Sequence, residues 1–149
     1  MDEINKTIQK EAEILLEKAG IEGTVRVESA EEGFQLFVDS QENALLIGKH
    51  GNTLSSFEYV LAMIVTKKTG EYKRLTIEVG GYRKEREEYL QDLAGRLRDE
   101  VLDTGIEKTI RGLKPWERRL VHMYLSEEPE ITTESTGEDR DRVLVIKKK

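Results

Sequence analysis

The chain has 149 residues, which is enough for one ordinary domain or two small ones, and 37% of its residues are hydrophobic. It contains no cysteine, which excludes disulfides, thiolate metal sites and cysteine nucleophiles. The longest apolar run, residues 59–65, is far shorter than the ~20 residues that a membrane-spanning helix needs. We therefore expect a soluble cytoplasmic protein without a membrane span.

The charge of the chain is unevenly distributed. Thirty acidic and 24 basic residues give a formal net charge of −6, which by itself argues against a polyanionic partner. Residues 1–43 carry 11 acids and 4 bases, whereas residues 44–75 carry 2 acids and 5 bases. An uneven charge distribution steers a charged ligand to one part of the surface, so the negative net charge does not exclude a nucleic-acid partner.

The first half of the chain alternates between helical and strand patterns. The predicted elements are a helix that ends at Gly20, strands over 23–28 and 34–38, a short helix over 41–47 with Ser40 as its N-cap, a longer helix from 52 to about 68, and a strand over 75–79. Gly80 and Gly81 then mark the clearest breakpoint.

The second half begins with a long charged helix over 82–102, whose apolar stripe either docks on one side or pairs with another chain. A strand over 109–113, a helix that starts at Pro115, and two strands over 131–135 and 143–146 complete this small unit. We therefore predict a domain over 1–80, a connector helix over 81–105 and a second domain over 106–149.

A glycine-flanked turn, Gly48-Lys49-His50-Gly51, joins the two helices of the first half. Two interpretations are open: an ordinary tight turn, or a loop that holds a phosphodiester backbone. Glycines let a ligand approach the main chain closely, and the N–H groups of the following helix favour a phosphate. Lys49 adds a positive charge and His50 a hydrogen-bond donor.

The stretch from Leu46 through this turn to Leu54 resembles the characteristic part of a KH domain of the second type, whose element order is α-β-β-α-α-β. The resemblance implies that the loop, with Asn52 at the start of the next helix, holds the backbone of a single strand. A neighbouring apolar groove would read the bases, and its predicted residues are Leu45, Ile47, Leu54 and Phe57.

A second candidate site lies on the helix that starts at Pro115. Arg118 and His122 are four residues apart, so they project from one helix face, beside Arg119. Arginine binds phosphate through two parallel hydrogen bonds, and histidine can donate to another oxygen or stack on a base. Taken alone, the same spacing also fits a solvated helix face.

The context of this helix resembles an R-three-H domain, a fold that binds single-stranded polynucleotides. The resemblance rests on residues 114–122, on the turn at Gly137 and on the final strand over 142–147. It implies that Arg118 and His122 take the roles of the motif and that Arg142 and Lys147 belong to its basic final strand.

The tandem as a whole is similar to the bacterial Jag family, also called SpoIIIJ-associated proteins, which are KH-type RNA-binding regulators. The resemblance implies an α+β fold in which a type II KH domain is joined by a long helix to a small R-three-H domain. It also implies assembly with a smaller KH-only protein. Longer members carry a further N-terminal domain, whose role in membrane or division-site association is not transferred to this sequence.

The leading hypothesis is non-catalytic binding of single-stranded RNA, or of single-stranded DNA, at two sites. An adaptor that forms a homodimer, or a heterodimer with a KH-only partner, is the alternative. An enzyme is the least favoured class, because the two histidines lie in basic segments and the many acids are scattered over polar faces. No cofactor and no metal site is predicted.

Overall fold

The computed structural model describes residues 2–138 and 141–149. Its helices and strands, in chain order, are α1 (Glu3–Lys18), β1 (Gly23–Ala30), β2 (Gly33–Ser40), α2 (Asn43–Ile47), α3 (Asn52–Thr69), β3 (Leu75–Val79), α4 (Tyr82–Thr104), β4 (Lys108–Ile110), α5 (Pro115–Leu125), β5 (Ile131–Thr136) and β6 (Val143–Lys148). The predicted α+β class is confirmed. The chain divides into two compact units, residues 1–83 and 84–149, and α4 begins at the end of the first unit.

The first unit is a three-stranded sheet of order β1-β2-β3 with helices on one face. β1 runs antiparallel to β2, with Gly23 opposite Ser40, and β3 runs parallel to β2, with Phe34 opposite Leu75. Alternate strand residues are buried with the apolar sides of α1 and α3, as expected for a sheet covered on one side. The largest fully buried side chains here are Ile8, Leu16, Leu36, Leu46, Leu61, Val65 and Ile77.

Ser40 does not cap a helix, contrary to the sequence prediction. It is the last residue of β2, and α2 begins only at Asn43. The Ser40 hydroxyl donates to the carbonyl of Glu22 at 2.5 Å and accepts from the backbone N–H of Glu42 at 3.0 Å. Ser40 lies two residues before Glu42, the N-cap of α2, and instead fastens the turn after β2 to the residue that precedes β1.

The second unit is an antiparallel sheet of order β4-β6-β5 that packs against α4 and α5. The apolar stripe of α4 docks within this unit: Leu90, Ala94 and Val101 are buried, and Leu93 and Leu97 are partly buried against the same core. The predicted strand over 109–113 is shorter in the structure and ends at Ile110. Leu113 is buried in the core from the loop that follows.

Within the described part of the chain, no helix combines the length and the apolar character that crossing a membrane requires.

Candidate nucleic-acid interface

The glycine-flanked turn of the first unit is a single 3-10 turn between α2 and α3. Gly48 has a φ of +71°, and a β-carbon there would overlap with the Thr53 hydroxyl oxygen. Gly51 is buried, with a φ of +76°, and a β-carbon there would lie 2.8 Å from the hydroxyl oxygen of Tyr82. Both glycines are therefore required by backbone conformation and by space.

Lys49 and His50, the two residues between the glycines, are exposed. His50 has a φ of 53° and a ψ of 28°, a left-handed conformation that histidine adopts more readily than most residues. The tight turn thus presents a cation and an imidazole to solvent at the start of α3. This geometry allows a backbone phosphate to approach the main chain.

The four residues predicted to form a base groove differ in accessibility. Leu54 and Phe57 are only 6% and 8% exposed, because they belong to the core beneath α3. Ile47 is partly buried against that core, and Leu45 is exposed. The apolar surface that a base can reach beside the turn therefore comes mainly from Leu45 and Ile47, with Leu54 and Phe57 supporting it from below.

The second candidate site is a cavity of about 410 Å³ between α5 and one end of the sheet of the second unit. Pro115, the first residue of α5, is at its edge. The cavity also brings together four predicted nucleic-acid residues, Arg118, Arg119, His122 and Arg142. Its remaining lining residues are Thr133 and Ser135 of β5.

The key side chains of this cavity are oriented by protein contacts. The Nη1 atom of Arg118 donates to the carbonyl of Leu113 at 2.6 Å, which holds the guanidinium near the start of α5. The Nδ1 atom of His122 is hydrogen-bonded to the hydroxyl of Thr133. This contact fixes the imidazole ring and leaves Nε2 as the ring nitrogen for a ligand.

The cavity is electropositive and carries hydroxyl groups. Three arginines and a histidine line it together with the Thr133 and Ser135 hydroxyls, and no acid is among these lining residues of the described chain. Guanidinium groups and hydroxyls are donors that suit phosphate oxygens. The arrangement can therefore hold one or more phosphates of a nucleic-acid backbone.

Lys147 is not brought to this cavity, although the resemblance placed it in the same basic strand as Arg142. Leu144 and Ile146 are buried beneath the helices. They pair with Ser135 and Thr133, respectively, and so lie on the same face of the sheet as the cavity. Lys147 alternates with them and lies on the opposite face of the sheet. There its Nζ atom contacts Glu134 at 3.0 Å, and this hydrogen bond and the charge of Glu134 raise the pKa of Lys147.

Two lining residues of the cavity, Thr133 and Ser135, and the buried Glu117 beneath α5 were not identified as functional from the sequence. Thr133 and Ser135 lie on β5, in which every residue after Ile131 is polar, so the sequence pattern gives little indication of which side lines a cavity. Glu117 is buried beneath α5, and its burial is easier to predict from sequence than the orientation of Thr133 and Ser135. It precedes the buried Val121 and Leu125 at intervals of four residues, which places it on the buried face of the helix.

Comparison with known families locates both domains. The family description "KhpA/KhpB, KH domain" matches residues 5–77, and the R-three-H domain family matches residues 88–148. The first match contains the glycine-flanked turn, and the second contains the arginine-rich cavity.

Individual relatives cover nearly the whole chain. A protein named RNA-binding protein KhpB from Clostridium symbiosum is 28% identical over 95% of this chain and 66% of its own length. The protein of the same name from Bacillus subtilis strain 168 is 34% identical over 84% of this chain and 61% of its own length. The KhpB of Streptococcus pneumoniae strain D39 is 22% identical over 98% of this chain and 44% of its own length.

The chain thus spans two thirds or less of the length of these curated relatives. The matches confirm the resemblance on which the sequence interpretation relied. The chain joins a KH domain of the KhpA/KhpB type to an R-three-H domain, and it is a homologue of the bacterial KhpB proteins of the Jag family.

Proposed function

We propose that this chain binds single-stranded RNA without catalysing a reaction on it, as a post-transcriptional regulator or an RNA chaperone. The observation that carries the proposal is the cavity lined by Arg118, Arg119, His122 and Arg142. Its chemistry suits a phosphodiester backbone. The names of the relatives and the two matched domain families support the same ligand class.

In the cavity, each side chain has a distinct role. Arg118 and Arg142 contact phosphate oxygens as charged donors, and Arg119 adds positive charge at the rim. His122 donates from Nε2 or stacks on a base, while Thr133 holds its ring in place.

In the first unit, the turn at Gly48 and Gly51 holds a second stretch of backbone. Gly51 is the N-cap of α3, and because it has no side chain, it cannot itself cap the first N–H groups of the helix. Beside these N–H groups, Lys49 supplies a positive charge and His50 supplies a further hydrogen-bond donor. Asn52 is the first residue of the helix. Positive charge and N–H groups at the start of an 18-residue helix attract a phosphate.

The exposed apolar surface of Leu45 and Ile47 beside the turn is where we place the bases. The flexible backbone of a single strand allows its bases to unstack and lie on such a surface. Because both sites belong to one chain, a strand that reaches both binds more tightly than either site alone would bind it.

A filter-binding titration with two double variants tests this function. Lys49→Asp with His50→Asp alters the turn, and Arg118→Ala with His122→Ala alters the cavity. Each should weaken binding of a single-stranded RNA at least about tenfold, because each removes charge-assisted contacts to phosphate. Wild-type affinity should fall with rising salt.

A matched control separates site chemistry from net charge. Lys10→Asp with Lys67→Gln produces the same formal charge change as the turn variant, at exposed positions on α1 and α3. This control should bind RNA almost as the wild type does. If both site variants keep wild-type affinity while circular dichroism shows intact folding, the proposed function is wrong.

A second candidate function is that of an adaptor that pairs with another KH-bearing chain, either its own copy or a smaller partner. The observation that favours it is an exposed apolar strip on α3, formed by Tyr59, Val60 and Met63. Tyr59 is 69% and Met63 is 55% exposed, although the opposite side of the same helix forms the core. Exposed apolar strips on helices are typical of helix-to-helix interfaces.

Sedimentation of the wild type and of Met63→Glu tests the adaptor function. We expect the wild type to be dimeric at micromolar concentration, or to bind a KH-only partner, and the variant to lose this association. A Lys67→Gln variant one turn further along α3 changes the formal charge by the same amount and controls for it. A concentration-independent wild-type monomer that captures no KH-only partner would exclude the adaptor function.

A further inference from the structure

Glu117 is a buried acid that lies directly before Arg118 in the middle of a basic segment. Its residue exposure is 1%, and both of its carboxylate oxygens have protein partners. Oε1 accepts from the backbone N–H of Lys114 at 2.8 Å, and Oε2 accepts from the Nε atom of Arg86 at 2.5 Å. The carboxylate therefore joins the start of α5 to α4.

These contacts fix the segment that carries Arg118. Lys114 is the N-cap of α5, and its carbonyl accepts from the backbone N–H of Arg118 at 2.9 Å. The Arg118 guanidinium in turn donates to the carbonyl of Leu113. Hydrogen bonds between Lys114 and Glu117 and between Lys114 and Arg118 thus hold the first turn of α5. The position of the Arg118 side chain depends on this turn.

Arg86 also controls the charge near the cavity. Its side chain is only 14% exposed, and its guanidinium lies 5.2 Å from the centre of the Tyr89 ring. Without Arg86, Oε2 of the buried Glu117 would lose its hydrogen-bond partner, directly before a residue that must attract phosphate. A buried charge that loses its partner acts on its neighbours with little screening by solvent.

We propose that Arg86 is a positioning residue for the phosphate-binding cavity, acting through Glu117. It holds the carboxylate that closes the first turn of α5, and it cancels the negative charge that would otherwise oppose the RNA backbone. This inference rests on the proposed function of the cavity and extends its machinery to α4, a helix that contributes no residue to the cavity lining.

The test compares the affinities of full-length variants for one single-stranded RNA. Arg86→Met keeps most of the side-chain length and the packing against Tyr89 but removes the charge. We expect about a fivefold loss of affinity at low salt, which shrinks as salt is raised. Arg86→Lys should recover part of this loss, because it restores the charge without the geometry of the guanidinium.

A second variant distinguishes positioning from a merely structural role. Arg86→Met combined with Glu117→Gln removes both charges, and the glutamine oxygen can still accept from the Lys114 N–H. We expect this double variant to bind RNA more tightly than Arg86→Met alone, since the uncompensated carboxylate is gone. Replacing both members of a buried ion pair is also tolerated better than removing one, so the double variant should fold.

Arg96→Met is the matched control, because Arg96 is exposed on the same helix. It removes the same charge and should change the affinity less than about twofold, since solvent screens exposed charges. Fluorescence of Trp116, the single tryptophan of the chain, reports the local structure at the start of α5 in every variant.

The outcomes separate this inference from the proposed function. If Arg118→Ala with His122→Ala weakens binding but Arg86→Met binds as the wild type does, only the positioning role of Arg86 fails. Equal losses for Arg86→Met and Arg96→Met, or a double variant weaker than Arg86→Met, also overturn it. If Arg118→Ala with His122→Ala does not weaken binding, the cavity function itself fails.

Discussion

Tyr82 lies directly over Gly51, so closely that a β-carbon at position 51 would come within 2.8 Å of the tyrosine hydroxyl oxygen and 3.0 Å of its ring. Tyr82 is the first residue of α4 and is partly buried against the core of the first unit. It therefore closes the glycine-flanked turn from behind, while Lys49 and His50 remain exposed in front. The turn is held in shape by its packing as well as by its glycines.

Substitution of Gly51 by alanine should destabilise the first unit by more than its backbone conformation explains. The positive φ costs about 1 kcal/mol for a residue with a side chain. The overlap with Tyr82 adds about 2 kcal/mol, as overpacking of a filled site does. Urea unfolding followed by circular dichroism measures the sum.

Gly20→Ala is the control for this prediction. Gly20 has the same φ of +76°, but no atom lies within 4 Å of the position that its β-carbon would take. We expect the loss in Gly20→Ala to be limited to the backbone cost of about 1 kcal/mol. Equal losses in the two variants would mean that Tyr82 does not constrain the turn.

Removal of the Thr133 hydroxyl should weaken RNA binding while leaving the fold intact. Thr133→Val keeps the shape of the side chain but cannot hydrogen-bond to His122. Loss of one hydrogen bond that orients a ligand-binding group is worth about 1 kcal/mol, or about fivefold in affinity. Nitrogen NMR of His122 should show a change in the environment of Nδ1.

Thr132→Val provides a matched control on the opposite face of β5. Thr132 pairs with Lys147 across the strands and is not part of the cavity lining. Its substitution should leave the affinity within about twofold, because it removes no contact to His122 or to the proposed ligand. If both valine variants bind alike, Thr133 does not orient His122 for binding.

Arg142 and Lys147 should differ in their contribution to RNA binding, although both belong to the basic end of the chain. Arg142→Ala should reduce affinity about tenfold and lower the salt dependence by about one released counterion. Lys147→Ala should change affinity less than about twofold, since the lysine faces away from the cavity and pairs with Glu134. Filter binding over a series of salt concentrations compares the two variants, and equal losses would place the RNA across both faces of the sheet.

Much of this architecture is predictable from sequence, because helical periodicity and the glycine pairs are strong local signals. The exposed Lys49-His50 tip follows from its flanking glycines. The separation of Lys147 from Arg142 does not, since residues 143–146 are apolar at every position and do not show which alternate set faces the core. Strand pairing decides that question, and it depends on contacts between distant segments.

Glu117 shows a different limit of sequence reasoning. Its position on the buried face of α5 is readable from the spacing to Val121 and Leu125, but its partner Arg86 is 31 residues away on another helix. Acids and bases are so abundant in this chain that no pairing over such a distance stands out from the sequence. Only the packing of α4 against α5 selects this pair.

Lys147 should lose its proton at a higher pH than an isolated lysine does, because its pKa is raised. Glu134 raises the pKa of Lys147 from its ordinary value of 10.5. A lysine with a raised pKa in the folded state contributes stability that is present below pH 10.5 and is lost as the pH rises through the folded-state pKa. Carbon NMR of the Lys147 side chain should therefore show a lower pKa in Glu134→Gln than in the wild type, and an unchanged value would contradict the ion pair.

The most direct test of the two-site account is an NMR titration of isotope-labelled protein with an unstructured single-stranded RNA. We predict that the largest chemical-shift changes fall in two separate groups, at residues 45–52 and at residues 118–122 with Arg142. Lys147 and Tyr59 should change little. Shifts confined to the exposed strip of α3, or to the face of the second sheet that carries Lys147, would contradict the account.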